Sequence, residues 1–485
     1  MKKINTVLGA FTIMLLVVAC SDDFIDVPSK NENSEEFFNS QEDYEEALIG
    51  AYDLLQSTYL NVMLGEIASD NTLAGGESAT DVPGIQQVDD MIHGTTNEQL
   101  RAIWGWMFAG VNRANYILEY QDKTDFSGKD NIIGQAKFLR AYYYFELVKW
   151  FGDVPLAVDK RIKFGEQFTV ERTPKAQVYA QIEADLIAAA AALPATQSVV
   201  GQATKGAAQS LLGKVYIYQD KFNEAAPVLA SAISGPYALV IDYASIFEHA
   251  GENGTESVFE VQYTDVEGAG FECLQCSEGN VAVGFNGIRQ YDGPTFDSGF
   301  SFNVPTQEVV DSFEAGDIRK DVAILDIDAW NTENGSSSGE GFEHTGYFNR
   351  KYIARKGDLN TGDQNLTNPN NYRAIRLADV LLLAAEANNR KTPANDAQAL
   401  VYLNQVRQRA GLSALTVTGP DLRQAIAQER RVELVGEGHR FFDLVRTGAA
   451  SREIDGFVAG KHEVFPIPQV EIELAGSRWA QNPGY

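Results

Sequence analysis

Carboxylates dominate the reactive groups of this chain, 67 Asp and Glu against 39 Lys and Arg. Two of them held on opposite sides of a glycosidic bond, roughly 5–9 Å apart, would make a glycoside hydrolase. At this density neighbours such as Asp89 and Asp90 arise by number alone and single out nothing. The five histidines, His93, His249, His344, His439 and His462, are isolated and lack the spacing of metal ligands. No nucleophile elbow, zinc motif, phosphate loop or dinucleotide fingerprint occurs. The expectation is a protein with no catalytic activity, cofactor or metal centre.

Cys273 and Cys276 stand in a Gly-flanked insertion. A zinc site needs two more ligands nearby, and a redox motif needs a helix N-terminus beside a βαβ unit; neither is evident. Two readings remain, a short-loop disulfide in an oxidising exterior and a pair of free thiols.

Binding chemistry is better supplied. A sugar ring has an apolar face of C–H groups and a rim of hydroxyls, so it wants exposed aromatic platforms edged by Asp, Asn, Gln or Arg. Each platform removes ~100 Å² of apolar surface from water, about 2.5 kcal/mol at ~25 cal/mol per Å². After association costs, two or three platforms give roughly millimolar to micromolar binding. Trp330 lies alone in a polar insertion and is the leading platform, the alternative being a tryptophan that pins its loop. Tyr291, Tyr347, Phe271 and Phe285 come from the same insertions or beside them. Trp104, Trp106, Trp150 and Trp479 fall in helices or in the terminal motif and read as core.

Helices must hold these insertions. Phe138 to Leu156, FLRAYYYFELVKWFGDVPL, is apolar around most of its circumference, so it must be covered on nearly every side. Gly152 and Pro155 stop it. Helical periodicity also runs from Gln41 to about Tyr59, Glu98 to Gln121 and Pro174 to Leu193. In Ala203 to Ser234, Leu212, Gly213 and Tyr216 match the first helix of a tetratricopeptide unit, and Ala225, Leu229 and Ala232 fit its second. Degraded halves recur at Phe138–Tyr144 and Leu377–Ala387. Residues 65–97, 268–299 and 326–346 show no helical period, and long loops of this kind usually carry function. Ser257 to Tyr263 alternates as a strand, and Pro305 to Phe313 reads as a short helix. Arg430, Arg431, Glu433, Glu437 and Arg440 occupy an otherwise apolar segment and read as a partly buried ion-pair network that docks the C-terminal helices. The closing stretch FPIPQVEIELAGSRWAQNPGY reads as extended.

The formal charge of −28 argues against nucleic acid, which needs a basic surface. Met1 to Ala19 is a positive start followed by an apolar run too short to span a bilayer. It ends at Cys20 and is similar to a lipoprotein signal, with Cys20 as the acylated residue, residues 20–40 as a tether and 41–485 as the binding domain.

These pieces together resemble one family, the SusD/RagB lipoproteins of Bacteroidetes. The likeness rests on the leader, on FLRAYYYFELVKWFGDVPL, VPTQEVVDSFEAGDIRKD, YRAIRLADVLLLAAEA and ERRVELVGEGHRFFDLVRTG, and on the closing stretch, in family order over almost the whole chain. The resemblance implies a mostly α-helical SusD-like fold, with four tetratricopeptide-like helix pairs and a loop-rich ligand-binding face. It implies an oligosaccharide-binding protein, or in some members a peptide-binding one, seated on a SusC-like TonB-dependent transporter of the outer membrane. Ser21, Asp22 and Asp23 after the lipidated Cys20 resemble a surface-export signal, which implies a lipid-anchored protein on the cell exterior. The family's loop contacts map to Ser69, Asp70 and Asn71. Residues 72–97 hold no Phe, Tyr or Trp, a departure that puts starch itself in doubt. A surface glycoside hydrolase and a scaffold without a small ligand are the readings from other classes.

Overall fold

The computed structural model describes residues 37–163, 165–166, 169–357 and 365–485; Cys20, the leader and most of the tether lie outside the described residues. Helix α1 (Gln41–Asp53) opens on a capping box, in which Ser40 Oγ accepts from the Asp43 amide and the Asp43 carboxylate accepts from the Ser40 amide. A 3₁₀ turn leads into α2 (Tyr59–Ile67). The stack then runs through α3 (Glu98–Glu119), α4 (Lys129–Phe151), α5 (Lys175–Ala192), α6 (Lys205–Ile217), α7 (Phe222–Ile233), α8 (Leu377–Arg390) and α9 (Asp396–Arg409). From α3 onward each helix packs on the next, α1 packs on α3, and α10 (Gly419–Glu433) closes against α8 and α9. Helix α11 (Arg440–Thr447) packs against α2.

Helix α4 occupies the centre that its composition demands. From Phe138 to Phe151 every residue but Lys149 is buried. Its charges are matched where they lie. Arg140 Nε and Nη2 donate to both oxygens of Asp185 on α5 at 2.8 and 2.7 Å, and its Nη1 reaches Asn115 Oδ1 on α3 at 2.8 Å. Glu146 accepts from Lys149 at 2.6 Å and from Asn61 on α2 at 2.7 Å. Burying a charge without such partners costs several kcal/mol, so the three ionic residues between Phe138 and Phe151 also fix the neighbours of α4.

The tetratricopeptide-like pair α6–α7 shows why glycine stands at position 213. A β-carbon there would lie 2.3 Å from Leu229 Cδ2 in a fully buried contact. A small residue is the condition for the two helices to approach this closely.

Strands are few and short. Strand β2 (Ser257–Val261) pairs with β6 (Tyr372–Arg376), placing Phe259 opposite Ile375. The alternation in β2 suggests one buried face, yet Val258, Phe259, Glu260 and Val261 are all buried, because helices cover one side and the Arg373 guanidinium approaches Glu260 on the other. Three further differences from the sequence reading have one cause. Residues 65–97 contain β1 (Thr72–Gly75) and a helix Pro83–Asp89, residues 326–346 contain a helix Ile327–Asn334, and the closing stretch contains a helix Gln469–Leu474. Each is about two turns or less, too short for a period to show, and each is held by contacts from distant segments.

The segment from Glu429 to Arg440 forms the ion-pair network expected of it. Glu433 accepts from Arg319 at 2.8 Å and also from Arg376 and Arg409, while Glu437 accepts from Arg376 at 2.8 Å and Lys351 at 2.7 Å. Arg376 and Arg409 also bind Glu256, at 3.1 and 3.0 Å. All of these side chains are buried. The surrounding guanidinium groups hold the Glu433 and Glu437 carboxyls below their usual range against the opposing effect of burial, and burial lowers Lys351 to about 8 despite Glu437. The network joins α10 to α9, to β6 and to Glu256 beside β2.

Candidate functional site

The three insertions meet on one face, and Arg289 marks the meeting point. Strand β1 from the first insertion pairs antiparallel with β3 (Phe302–Pro305) beside the second, in a register that brings Gly75 opposite Phe302. A β-carbon on Gly75 would lie 2.3 Å from Ser301 O, and its φ of +71° is one that glycine adopts without strain. The third insertion crosses both. Phe342 donates its amide to Gly76 O at 2.8 Å, Gly339 donates to Arg289 O at 2.8 Å, and Glu343 accepts from the Gly75 amide at 3.3 Å. Arg289 donates through Nε to Ser301 Oγ and through Nη2 to Phe300 O, each at 3.1 Å. Its guanidinium stands 3.8 Å from Glu77 and 3.9 Å from Asp81, and its side chain stays 17% exposed, so it can still reach a ligand hydroxyl. The sequence carried a signal for it that was missed: Arg289 is the single cation between Gly268 and Gly299.

On this face the predicted aromatics separate by exposure. Phe271 is 57% exposed and sits edge-on to Phe300 at 5.8 Å, which in turn meets Phe285 at 5.8 Å. Cys273 and Cys276 are disulfide-bonded two residues further on and close this tip into a short loop. Trp330 is half-buried on the helix Ile327–Asn334, which starts with Asp326 accepting from the Ala329 amide. Its indole lies 5.0 Å from Phe296, and the Arg350 guanidinium lies 5.2 Å from the ring. Tyr347, half-buried at the start of β5 (Tyr347–Asn349), donates its hydroxyl to Gln307 at 3.0 Å. Strand β5 pairs with β4 (Ile324–Asp326), which leads into the Trp330 helix.

Four predicted contacts are corrected. Phe285 and Tyr291 are 6% and 7% exposed, and their rings are enclosed by the aromatic and aliphatic packing beneath the face. Neither can present a ring to a sugar; Tyr291 instead supports Trp330 through its hydroxyl. Asp70 and Asn71 are not loop contacts either. Asp70 accepts from Arg440 at 2.7 and 2.8 Å and from Arg431 at 2.9 Å, while Asn71 is fully buried between Glu66 and Arg431. Ser69 turns its hydroxyl back to Glu66 O. The loop begins as a clamp on the C-terminal helices, and it reaches Arg289 only later, at Glu77 and Asp81.

Of the acidic pair Asp89 and Asp90, the first has a structural employment. Asp89 accepts from the Ala74 amide at 2.7 Å, and burial, with Glu343 and Asp90 nearby, raises its carboxyl to about 7. Among the described residues one cluster of three possible metal ligands occurs, Asp70, Glu308 and Glu453. Of these, Asp70 is already bonded to two guanidinium groups. No helix among the described residues is long and apolar enough to cross a membrane.

A stacked helical scaffold bearing one irregular face that gathers aromatic rings, an arginine and carboxylates defines a SusD-type binding protein. The chain belongs to the SusD/RagB family. Residues 326–485 match the model of the SusD family, and residues 23–217 match one described as starch-binding, associating with outer membrane. A laminarin binding SusD-like protein of known structure is 34% identical, superposes with a TM-score of 0.84, and is matched over 92% of this chain and 100% of its own. Surface glycan-binding protein A from Bacteroides thetaiotaomicron, solved with laminarihexaose, is 28% identical with a TM-score of 0.81 over 91% of this chain and 99% of its own. SusD-like protein P2 of Formosa agariphila is 27% identical across 98% of this chain and 99% of that one.

Proposed function

We propose that this protein is a lipid-anchored surface protein that captures oligosaccharides and delivers them to a SusC-like TonB-dependent transporter, and that it performs no chemistry on them. The observation that carries the reading is the 34% identity and full-length match to a laminarin binding protein. Laminarin is therefore the first ligand to test. Phe271, Trp330 and Tyr347 are the ring surfaces assigned to stacking, and Arg289, with Glu77 and Asp81, is assigned to the sugar hydroxyls. A charged group that keeps its geometry by bonding to Ser301 and Phe300 meets a ligand without first losing conformational freedom. Weak, exchangeable binding suits a protein that must release its cargo to a transporter.

Calorimetric titration with a glycan panel that includes laminarihexaose, and separately with a peptide mixture, tests the reading. Heat with glycans supports it; heat with peptides alone replaces it with a peptide importer of the same family. Short products after overnight incubation with polysaccharide would reinstate a hydrolase.

A further inference from the structure

Away from the loop-rich face, α10 and α11 border a cavity of about 490 Å³ whose lining includes six arginines, Arg390, Arg423, Arg430, Arg440, Arg446 and Arg452. Only three carboxylates, those of Glu386, Asp443 and Glu453, line it with them. In a chain of net charge −28 this is an inverted balance. The volume lies in the range of small-molecule sites.

The partners are unevenly shared. Glu386 serves both Arg446, through two bonds of 2.8 Å, and Arg390 at 3.1 Å. Asp443 serves Arg446 at 2.8 Å and Arg430 at 2.9 Å. Arg440 turns to Asp70 behind the lining, and Arg452 pairs with the adjacent Glu453. Arg390 also meets Asp220 at the rim, and Arg430 meets Asp379 below the floor. Arg430 is 3% exposed and held between Asp443 and Asp379, with its Nη2 left without a hydrogen-bond partner, so the floor is neutralised and the unanswered charge lies higher, at Arg423. Arg423 is exposed and makes no ion pair among the described residues; its Nε has a 3.4 Å contact with Asn389 Oδ1. Arg423, Ala427 and Arg430 lie four and three residues apart on α10, hence on one helix face, and the small Ala427 leaves room between the two guanidinium groups.

We propose that this cavity is a second ligand site, separate from the loop-rich face, that takes a small oxyanion, a sulfate or carboxylate group, against Arg423. Guanidinium groups bind such anions through paired, charge-assisted hydrogen bonds. The group is either a free ion or one carried on an acidic sugar.

The test titrates the full-length protein with sodium sulfate and, separately, sodium glucuronate, each against sodium chloride at equal ionic strength. Saturable binding is expected with one or both, about tenfold weaker in Arg423→Ala and partly restored in Arg423→Lys, with unchanged melting in both variants. Sulfate alone assigns the site to sulfate groups, and glucuronate alone to carboxylate-bearing sugars. The proposal is overturned if neither salt binds more than chloride does, or if Arg423→Ala and Arg452→Ala, both at exposed positions, bind as the unaltered protein does.

Discussion

The indole Nε1–H of Trp330 donates to the hydroxyl of Tyr291 at 2.9 Å, so the half-buried ring on the ligand face is oriented by one buried beneath it. Under the proposed function, Trp330→Ala weakens glycan binding by about tenfold or more, the contribution of one aromatic platform. Tyr291→Phe keeps the packing and removes only the hydrogen bond, so it costs a few-fold at most. Calorimetry on both variants checks the order; equal losses would show that orientation, rather than ring area, controls binding.

Phe271 gives a cleaner separation of binding from stability. Its ring is mostly in solvent, so Phe271→Ala should leave the melting temperature within about 2 °C of the parent, as is usual for a surface substitution of ~0.5 kcal/mol. Glycan affinity should nevertheless fall by about tenfold. Intact affinity would remove Phe271 from the site.

Asp185→Ala leaves the Arg140 guanidinium buried on α4 with only Asn115 and the carbonyl of Val158 as partners. Removing one member of a buried pair costs about 3–5 kcal/mol. Urea unfolding followed by circular dichroism should show that loss as a lower midpoint.

Gly213→Val forces a branched side chain into the contact between α6 and α7. The 2.3 Å approach to Leu229 implies a cost of about 1–3 kcal/mol or more from overpacking. A melting curve measures it, and Gly50→Ala, where a β-carbon meets open space, is the matched control.

The pH dependence has two opposed parts. Burial lowers His93 to about 3, with His462 adding to the effect, and burial with Lys214 lowers His439 to about 3. The unfolded chain therefore binds more protons at these sites than the folded one between pH 6.5 and about 3, and the stability they give is lost as pH falls through that window. Asp89 acts in reverse. Its carboxyl, raised from 3.8 to about 7, contributes stability below pH 3.8 that is lost as pH rises through 7. Asp89→Asn should raise the melting temperature at pH 8 relative to the parent and give no advantage at pH 4.

Much of the scaffold was legible in the chain itself. The near-continuous apolar surface of Phe138–Phe151 requires a central helix, and Leu212, Gly213 and Tyr216 require a close partner, because periodicity and residue size are local properties that packing must respect. The ion-pair role of Glu433, Glu437 and Arg440 was readable for the same reason: charges in an apolar segment must find partners. The ligand face was not readable in this way. Asp70 meets Arg440 across 370 residues of sequence, and the rings of Phe285 and Phe271, similar in local context, end at 6% and 57% exposure. Loops carry no period, so which side of a loop residue faces water is set by what crosses over it, and only long-range contacts in the folded chain decide that. The sequence by itself determined the helical stack and the family; the tertiary structure decided which rings face out, and it placed Arg289 where three insertions meet.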